Sequence, residues 1–482
     1  GSDLRVEYTA MGEAINLAAR MEQNSPPGGI LITHDTYRHV RGVFDVQAQP
    51  PLQVKGRSGP VQTYLVQKAK PRSSRVLTRG VEGIETRMVG REAELKRLQD
   101  GFLATMEDHE LQIVTVLGDA GVGKSRLLHE FNAWAELLPQ QFYYFKGRAS
   151  SEMQNLPYGL LRDVVASRFQ IQDSDTAAGL REKLEQGVGL ALDDDKDSNN
   201  GPLVALRAHY IGHLVGFEFG DSPYLKGLGE DPQQARDQTL TCLQEYFRGM
   251  ASRWPVLILL EDLHWADDSS LDALNHVALA LVDQPVMMVG AARPEFFERR
   301  PHWGEGHSFH WRLTLESLSK WDSRRLVAEI LQKVAEVPDT LCNVIVAGAE
   351  GNPFFIEELV KMLIEDGVIV KGEEWWRLVP SRLADVRVPP TLTGVLQARL
   401  DRLPLEERTI LQQASVVGRL FWDRAVAHIG EGAPEGLGEV EVVNGLAALR
   451  DREMVFRRET STFADAGEYI FKHALLREMT YA

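Results

Sequence analysis

The sequence predicts a parallel α/β domain followed by a mostly helical region, on three observations. Four apolar runs, "LQIVTVL", "FYYF", "PVLILLE" and "PVMMVGAAR", recur between Met88 and about Phe297, with long amphipathic helical stretches between them. Continuous β-branched and Leu runs suit strands covered on both faces, hence a parallel sheet between helix layers. From about residue 310 to 480 apolar residues recur at helical spacing almost throughout. There "VPP" at Val388–Pro390 marks a boundary, because proline cannot continue a helix and restricts its predecessor.

The remaining segments follow in order. Residues 1–67 alternate helix-like "EAINLAARM" with strand-like "GGILIT" and "VQTYLVQ", an α+β pattern. Residues 68–87, basic and poor in large apolar side chains, read as a linker whose charge is solvated. The loop "LDDDKDSNNG" fails a calcium-loop frame. Counted from Asp195, Asn200 stands where the turn glycine belongs and Leu206 where the closing glutamate belongs.

Composition narrows the function classes. A chain of 482 residues exceeds one core, and about three domains are expected. A net charge of −16 argues against a broad nucleic-acid surface, which needs clustered Lys and Arg. Cys242 and Cys342 are too few for a disulfide framework or a four-ligand zinc site; buried thiols in a reducing, cytoplasmic setting are expected. No run approaches the ~18 apolar residues of a membrane span. The opening "GSDLRVEY" enters in mid-domain behind what looks like a cloning scar, and "HALLREMTYA" reads as a helix cut short, so a longer parent protein is expected.

Three motifs carry chemistry. "GDAGVGKS", Gly118 to Ser125, follows the first strand and opens a helix continuing with Arg126. Gly118, Gly121 and Gly123 let the backbone N–H groups of Asp119, Ala120, Val122 and their neighbours curl around phosphate oxygens at a helix N-terminus. Lys124 would reach the β- and γ-phosphates, and Ser125 would ligate Mg²⁺. Second, Glu261 and Asp262 end an apolar strand, a poor place for charge unless a cation neutralises it. One acid would serve the Mg²⁺ shell and the other orient a water, on opposite strand faces. Third, Arg293 follows another buried strand, where a guanidinium could sense the γ-phosphate. No arginine finger is identifiable, so slow hydrolysis of ATP to ADP is expected.

Together "MVGREAEL", "GDAGVGKS", "LLEDLHWADD", "GAARPEF" and "GNPFFIEEL" resemble the AAA-type, signal-transducing ATPases of the STAND class, in the version found behind bacterial adenylyl cyclases. The resemblance implies a P-loop NTPase domain at 88–308, a helical lid at 309–387 and a winged-helix domain from 388 into further helical sequence at 482. It further implies that Val89, Gly90 and Arg91 line the adenine pocket, that Pro353 touches the base from the lid, and that His473 reads the β-phosphate of ADP. The class ends its acidic strand in Asp-Asp or Asp-Glu, so the order Glu261-Asp262 leaves their division of labour open.

"EYTAMGEAINLAARM", "GGILITHDTY" and "VKGRSGPVQTYLV" resemble the class III nucleotidyl cyclases, especially soluble adenylyl cyclases. This implies that Asn16 and Arg20 are the transition-state pair, that Lys55 binds phosphate and that Thr9 contacts adenine. The two metal-binding aspartates of that family have no counterpart here, so no cyclase activity is expected. The expected whole is a nucleotide switch on a cyclase. Its partners would be nucleotide, the upstream half of the cyclase domain with its dimer mate, and further copies through the ATPase, with no nucleic acid or membrane evident. A transcription regulator with the same ATPase core, or a non-hydrolysing nucleotide scaffold, remain the alternatives.

Overall fold

The computed structural model describes residues 13–26, 28–33, 36–37, 44–52, 61–69, 80–81, 84–172, 174–192, 201–219, 222–228, 231–372, 374–383, 388–430, 437–458, 461, 463 and 465–481. The chain divides into two compact units, residues 1–73 with 132–141, and residues 74–131 with 142–482. In the first, helix Glu13–Asn24 precedes an antiparallel sheet in which strand Val61–Ala69 lies between Ile30–Thr33 and Phe44–Leu52. Thr9 and Lys55 lie outside the described residues, as do 193–200 of the acidic loop.

The second unit is built on a five-stranded parallel sheet, whose strands we number along the chain: β1 Gln112–Leu117, β2 Tyr143–Arg148, β3 Val256–Glu261, β4 Val286–Ala292 and β5 His310–Thr314. Their order across the sheet is β5-β1-β4-β3-β2, with every pairing parallel. The three central strands are almost wholly buried, as their unbroken apolar runs require. β5 is an edge strand in which only Leu313 is buried, so "HWRLT" gave no apolar signal. This is the sheet of a P-loop NTPase.

Beyond the sheet, helices Lys320–Ile330, Asp339–Ala349 and Pro353–Glu365 enclose a second core with Leu326, Ile345 and Leu359 at its centre. Helices Leu392–Asp401, Leu405–Val417, Asp423–Gly430 and Glu439–Asp451 enclose a third, around Leu411, Phe421 and Leu446. The expectation of an almost wholly helical C-terminal half needs correction here. A three-stranded antiparallel sheet, Leu420–Trp422, Glu468–Phe471 and Val455–Arg457, sits among these helices. Its strands are three or four residues long, below the length at which alternation can be told from helical spacing. Consecutive phenylalanines stitch the two cores together, Phe354 packing into the third and Phe355 into the second. Among the described residues no helix is long and apolar enough to cross a membrane. Both cysteines are free and buried, and burial pushes the Cys242 thiol up to about 11, which leaves it protonated.

An ionic cluster joins the second and third cores. Lys361, fully buried, bridges Glu358 at 2.9 Å and Glu453 at 3.2 Å, and Lys472 also reaches Glu453, at 2.6 Å. Arg399 pairs with Glu358 and, at 2.7 Å, with Glu365, and donates to the Arg452 carbonyl at 3.1 Å. Removing one member leaves its partners charged and dry, at a cost of about 3–5 kcal/mol. Arg399→Ala is therefore expected to lower the calorimetric melting temperature of this region by roughly 10 °C. Arg399→Met should not restore it, because Glu365 loses its arginine and Glu358 keeps only Lys361.

Candidate nucleotide site

The strand order decides where the functional side chains emerge. β4 lies between β1 and β3, so the residue after β4 surfaces between the phosphate loop that follows β1 and the acid pair that ends β3. Lys124, Glu261, Asp262 and Arg293 thereby converge at one end of the sheet from the ends of three different strands. Ligand sites lie at this carboxyl end in open α/β sheets.

The loop itself is shaped by glycine. Gly121 and Gly123 have φ of 84° and 102°, which L side chains rarely adopt, and helix Lys124–Ala135 begins at once. A Cβ on Gly118 would lie 2.7 Å from Val122 and 3.0 Å from the Leu315 carbonyl. Lys124 is buried and donates to the carbonyls of Gly118 at 2.7 Å and Asp119 at 2.8 Å. Burial, and then the nearby Arg293, lower its pKa to about 8, although Asp262, Asp119 and Glu295 oppose the shift.

The acids are held by arginines. Arg148, directly beside Glu261 in the β2–β3 register, donates to its carboxylate. Burial would raise the Glu261 pKa, but Arg148 and a hydrogen bond with Ser125 bring it below the ordinary value. Asp262 does not face away from its neighbour as strand alternation predicts. The strand ends at Glu261, and Asp262 has a left-handed backbone, φ 60°, which keeps its carboxylate 3.6 Å from the same Arg148. Arg419, from the C-terminal module, lies 3.5 Å from it on the other side. Glu261 therefore sits beside the Mg²⁺-ligand candidate Ser125, and Asp262 lies near the guanidiniums of Arg148 and Arg419. Arg293 is 3.6 Å from Glu478 of helix Ala474–Tyr481, in the same module.

Helix Pro353–Glu365, in the segment that the resemblance implies is a lid, grips the loop through a residue the sequence reading passed over. Asn352, one before Pro353, donates from Nδ2 to the Ala120 carbonyl at 2.9 Å and accepts from Phe355 N–H at 3.2 Å, capping the lid helix. Phe354 N–H also reaches the Gly121 carbonyl at 3.3 Å. An N-cap position before "PFF" was the available signal. His473 is packed on the Phe354 ring at 3.8 Å between centroids, and its Nε2 is buried without a partner. Burial, then Lys472, holds it neutral, well below the usual histidine range.

Ahead of the loop, Val89 packs into the lid core and Gly90, φ 69°, lies against Asp322 and Leu318 of the lid. Arg91 bonds the carbonyls of Val122, at 3.3 Å, and Glu316, and pairs with Glu94 at 3.2 Å. It ties loop to lid. Arg126 pairs with Glu130 at 2.8 Å and donates to the Thr86 carbonyl. A cleft of about 780 Å³ opens there between Thr86, Met88, Arg126, Glu130, Ala328 and Glu329. In the front unit, Arg20 bonds Gln23 at 2.9 Å; Asn16 lies on the same helix, its side chain outside what is described.

These residues suit a polyphosphate. Several buried nitrogens on these residues lack a hydrogen bond: Arg148 Nε, which has only Asp262 at 3.6 Å, Arg419 Nε, His473 Nε2 and both ring nitrogens of His264, three residues after Glu261. Such orphans are costly unless a ligand completes them. Among the described residues no three His, Cys, Asp or Glu side chains converge on a metal position. Magnesium at a nucleotide needs only one or two protein ligands beside phosphate oxygens, which Ser125 and Glu261 could supply.

Residues 87–289 match the AAA ATPase domain family, residues 2–68 the adenylate and guanylate cyclase catalytic domain, and residues 319–371 a domain of unknown function. An uncharacterized protein of Rhizobium meliloti (strain 1021) is 26% identical over 417 residues, 84% of this chain and 37% of its own length. The peroxide stress-activated histidine kinase mak2 of Schizosaccharomyces pombe is 24% identical over 60% of this chain and 13% of its own. The chain thus spans well under half the length of these relatives. Among solved structures, the Aeropyrum pernix ORC1 protein in complex with DNA is similar at 15% identity and TM-score 0.36, over 85% of this chain and 96% of that one. Pyrobaculum aerophilum Cdc6p is similar at 11% and 0.35, over 82% and 95%.

Two outcomes are expected. Phosphate oxygens beside Lys124 should return its pKa toward the ordinary 10.5, so nucleotide binding at pH 8 takes up about half a proton. Uptake should fade towards pH 6, where the lysine is already charged; titration calorimetry in buffers of different ionisation enthalpy reads this directly. Asn352→Ala, which removes a cap worth about 1 kcal/mol, should shorten ADP residence roughly fivefold in stopped-flow measurements.

Proposed function

We propose, for a chain that carries an AAA ATPase domain at residues 87–289 behind part of a cyclase catalytic domain at 2–68, that the ATPase is a nucleotide switch. It binds ATP with Mg²⁺, hydrolyses it slowly, and through its nucleotide state regulates assembly or cyclic AMP output of a longer adenylyl cyclase. The observation that carries this reading is the grip of the lid on the phosphate loop. Asn352 and Phe354 bond the carbonyls of Ala120 and Gly121, so whatever fills the loop also sets the lid.

The geometry supports the following assignments. Lys124 and the loop N–H groups hold the β- and γ-phosphates, and Arg293 senses the γ-phosphate. Ser125 and Glu261 hold Mg²⁺, which when bound neutralises charge on the β- and γ-oxygens. Asp262 orients the attacking water. Its pairing with Arg148 and Arg419 keeps the carboxylate engaged, in keeping with slow turnover. Val89, Gly90 and Arg91 shape the adenine end, Pro353 touches the base, and His473 turns its orphan Nε2 to the β-phosphate of ADP. The C-terminal helices and three-stranded sheet are read as the winged-helix domain. In the front unit Asn16, Arg20, Lys55 and Thr9 keep the cyclase roles implied by resemblance, inert without the metal-binding aspartates.

Energetically the switch is feasible. Moving a two-state equilibrium from 1:99 to 99:1 requires roughly 5.5 kcal/mol of differential binding. Two or three charge-assisted hydrogen bonds to a γ-phosphate, at about 1.5–3 kcal/mol each, supply it. The test compares Lys124→Ala with the unaltered full-length protein under ATP, ADP and no nucleotide. Cyclic AMP output or particle size should follow nucleotide in the unaltered protein and ignore it in the variant. Output and size indifferent to nucleotide in both would refute regulation.

A further inference from the structure

The two groups proposed to meet the terminal phosphate and its water are both engaged, and both by the C-terminal module. Arg293 is 3.6 Å from Glu478, and Asp262 is 3.5 Å from Arg419. Each site group is met by a charge opposite to its own. Glu478 also acts electrostatically on Arg419, so the four residues form one alternating row, Arg293–Glu478–Arg419–Asp262, which Arg148 continues to Glu261.

We infer that Glu478 is a built-in surrogate for the γ-phosphate. Its carboxylate supplies the negative charge that Arg293 takes from ATP, and Arg419 occupies the carboxylate that the attacking water needs. The inference rests on the switch reading and deepens it: ATP, but not ADP, must displace the C-terminal module from the site. ADP leaves the row intact because it brings no third phosphate to Arg293.

Three features support a displaceable pair rather than a fixed one. The separations of 3.5 and 3.6 Å are longer than the 2.6–3.2 Å of the buried cluster around Lys361. All four side chains keep between 20% and 33% of their surface exposed, so water can take over when a pair parts. The geometry is single-pronged, and a phosphate offers a guanidinium a two-pronged, doubly charged alternative. The module's other anchor on the sheet end, Arg477 to Glu152 at 3.1 Å, lies outside the row.

The experiment measures binding of ADP and of a non-hydrolysable ATP analogue, each with magnesium, to the 482-residue chain by titration calorimetry. Glu478→Gln keeps the shape and removes the charge. It should tighten the analogue about fivefold, the worth of one partly exposed pair, and leave ADP within a factor of two. Glu152→Gln, which weakens the module's grip away from the row, should change neither; circular dichroism confirms that both variants fold. Equal tightening of both nucleotides by Glu478→Gln, or none, overturns the surrogate while leaving the switch intact, provided the unaltered chain distinguishes analogue from ADP. Tightening of the analogue by Glu152→Gln as well overturns it in favour of general loosening. An unaltered chain that binds the two nucleotides identically overturns the switch reading itself.

Discussion

Among the described residues no acid forms an ion pair with Lys124, and much of the structure follows from that. Its ammonium is buried and satisfied only by two loop carbonyls. Burial and Arg293 together outweigh the pull of Asp262, Asp119 and Glu295. A lysine so placed is a standing demand for anionic charge, and the curled loop and helix N-terminus beside it make the same demand through backbone dipoles. Charge at this point must be supplied by a ligand, because the two nearest strand-end acids are already spoken for by Arg148 and Arg419.

That demand reaches the rest of the chain through short connections. Asn352 and Phe354 fix the lid to the loop backbone, and Arg91 fixes the segment ahead of the loop to both. Phe354 and Phe355 then send the lid helix into two cores at once, so it cannot shift against one without disturbing the other. On the proposed switch, a phosphate-sized change at the loop would pass into packed elements rather than be absorbed by slack.

Much of this was legible in the sequence where chemistry and pattern coincide. The glycine positions, Lys124, the acid pair and the central strands carry signals that survive without tertiary context, because each depends on neighbours within a few residues. What was illegible depends on partners far along the chain. Arg148 and Arg419 look like any surface arginine until β2 is laid beside β3 and the C-terminal module is folded against both. β5 escaped because an edge strand needs only one buried residue, and the three-stranded sheet because its strands are too short for a period. The expected opposition of Glu261 and Asp262 failed for a local reason: a left-handed residue at the strand end breaks the alternation.

The contrast between two sets of ion pairs separates scaffold from switch. Around Lys361 the charges are dry, close and shared among several partners, and breaking one strands the others. Such a cluster holds the lid helix and the C-terminal module together in any nucleotide state, because no available ligand replaces its members. The pairs Arg293–Glu478 and Arg419–Asp262 are longer and wetter, and the γ-phosphate of an arriving triphosphate offers Arg293 the charge that Glu478 now gives it. On the proposed switch, a unit bound firmly to the lid but loosely to the sheet end would part from the sheet and travel with the lid, turning about the phosphate loop that Asn352 ties to it.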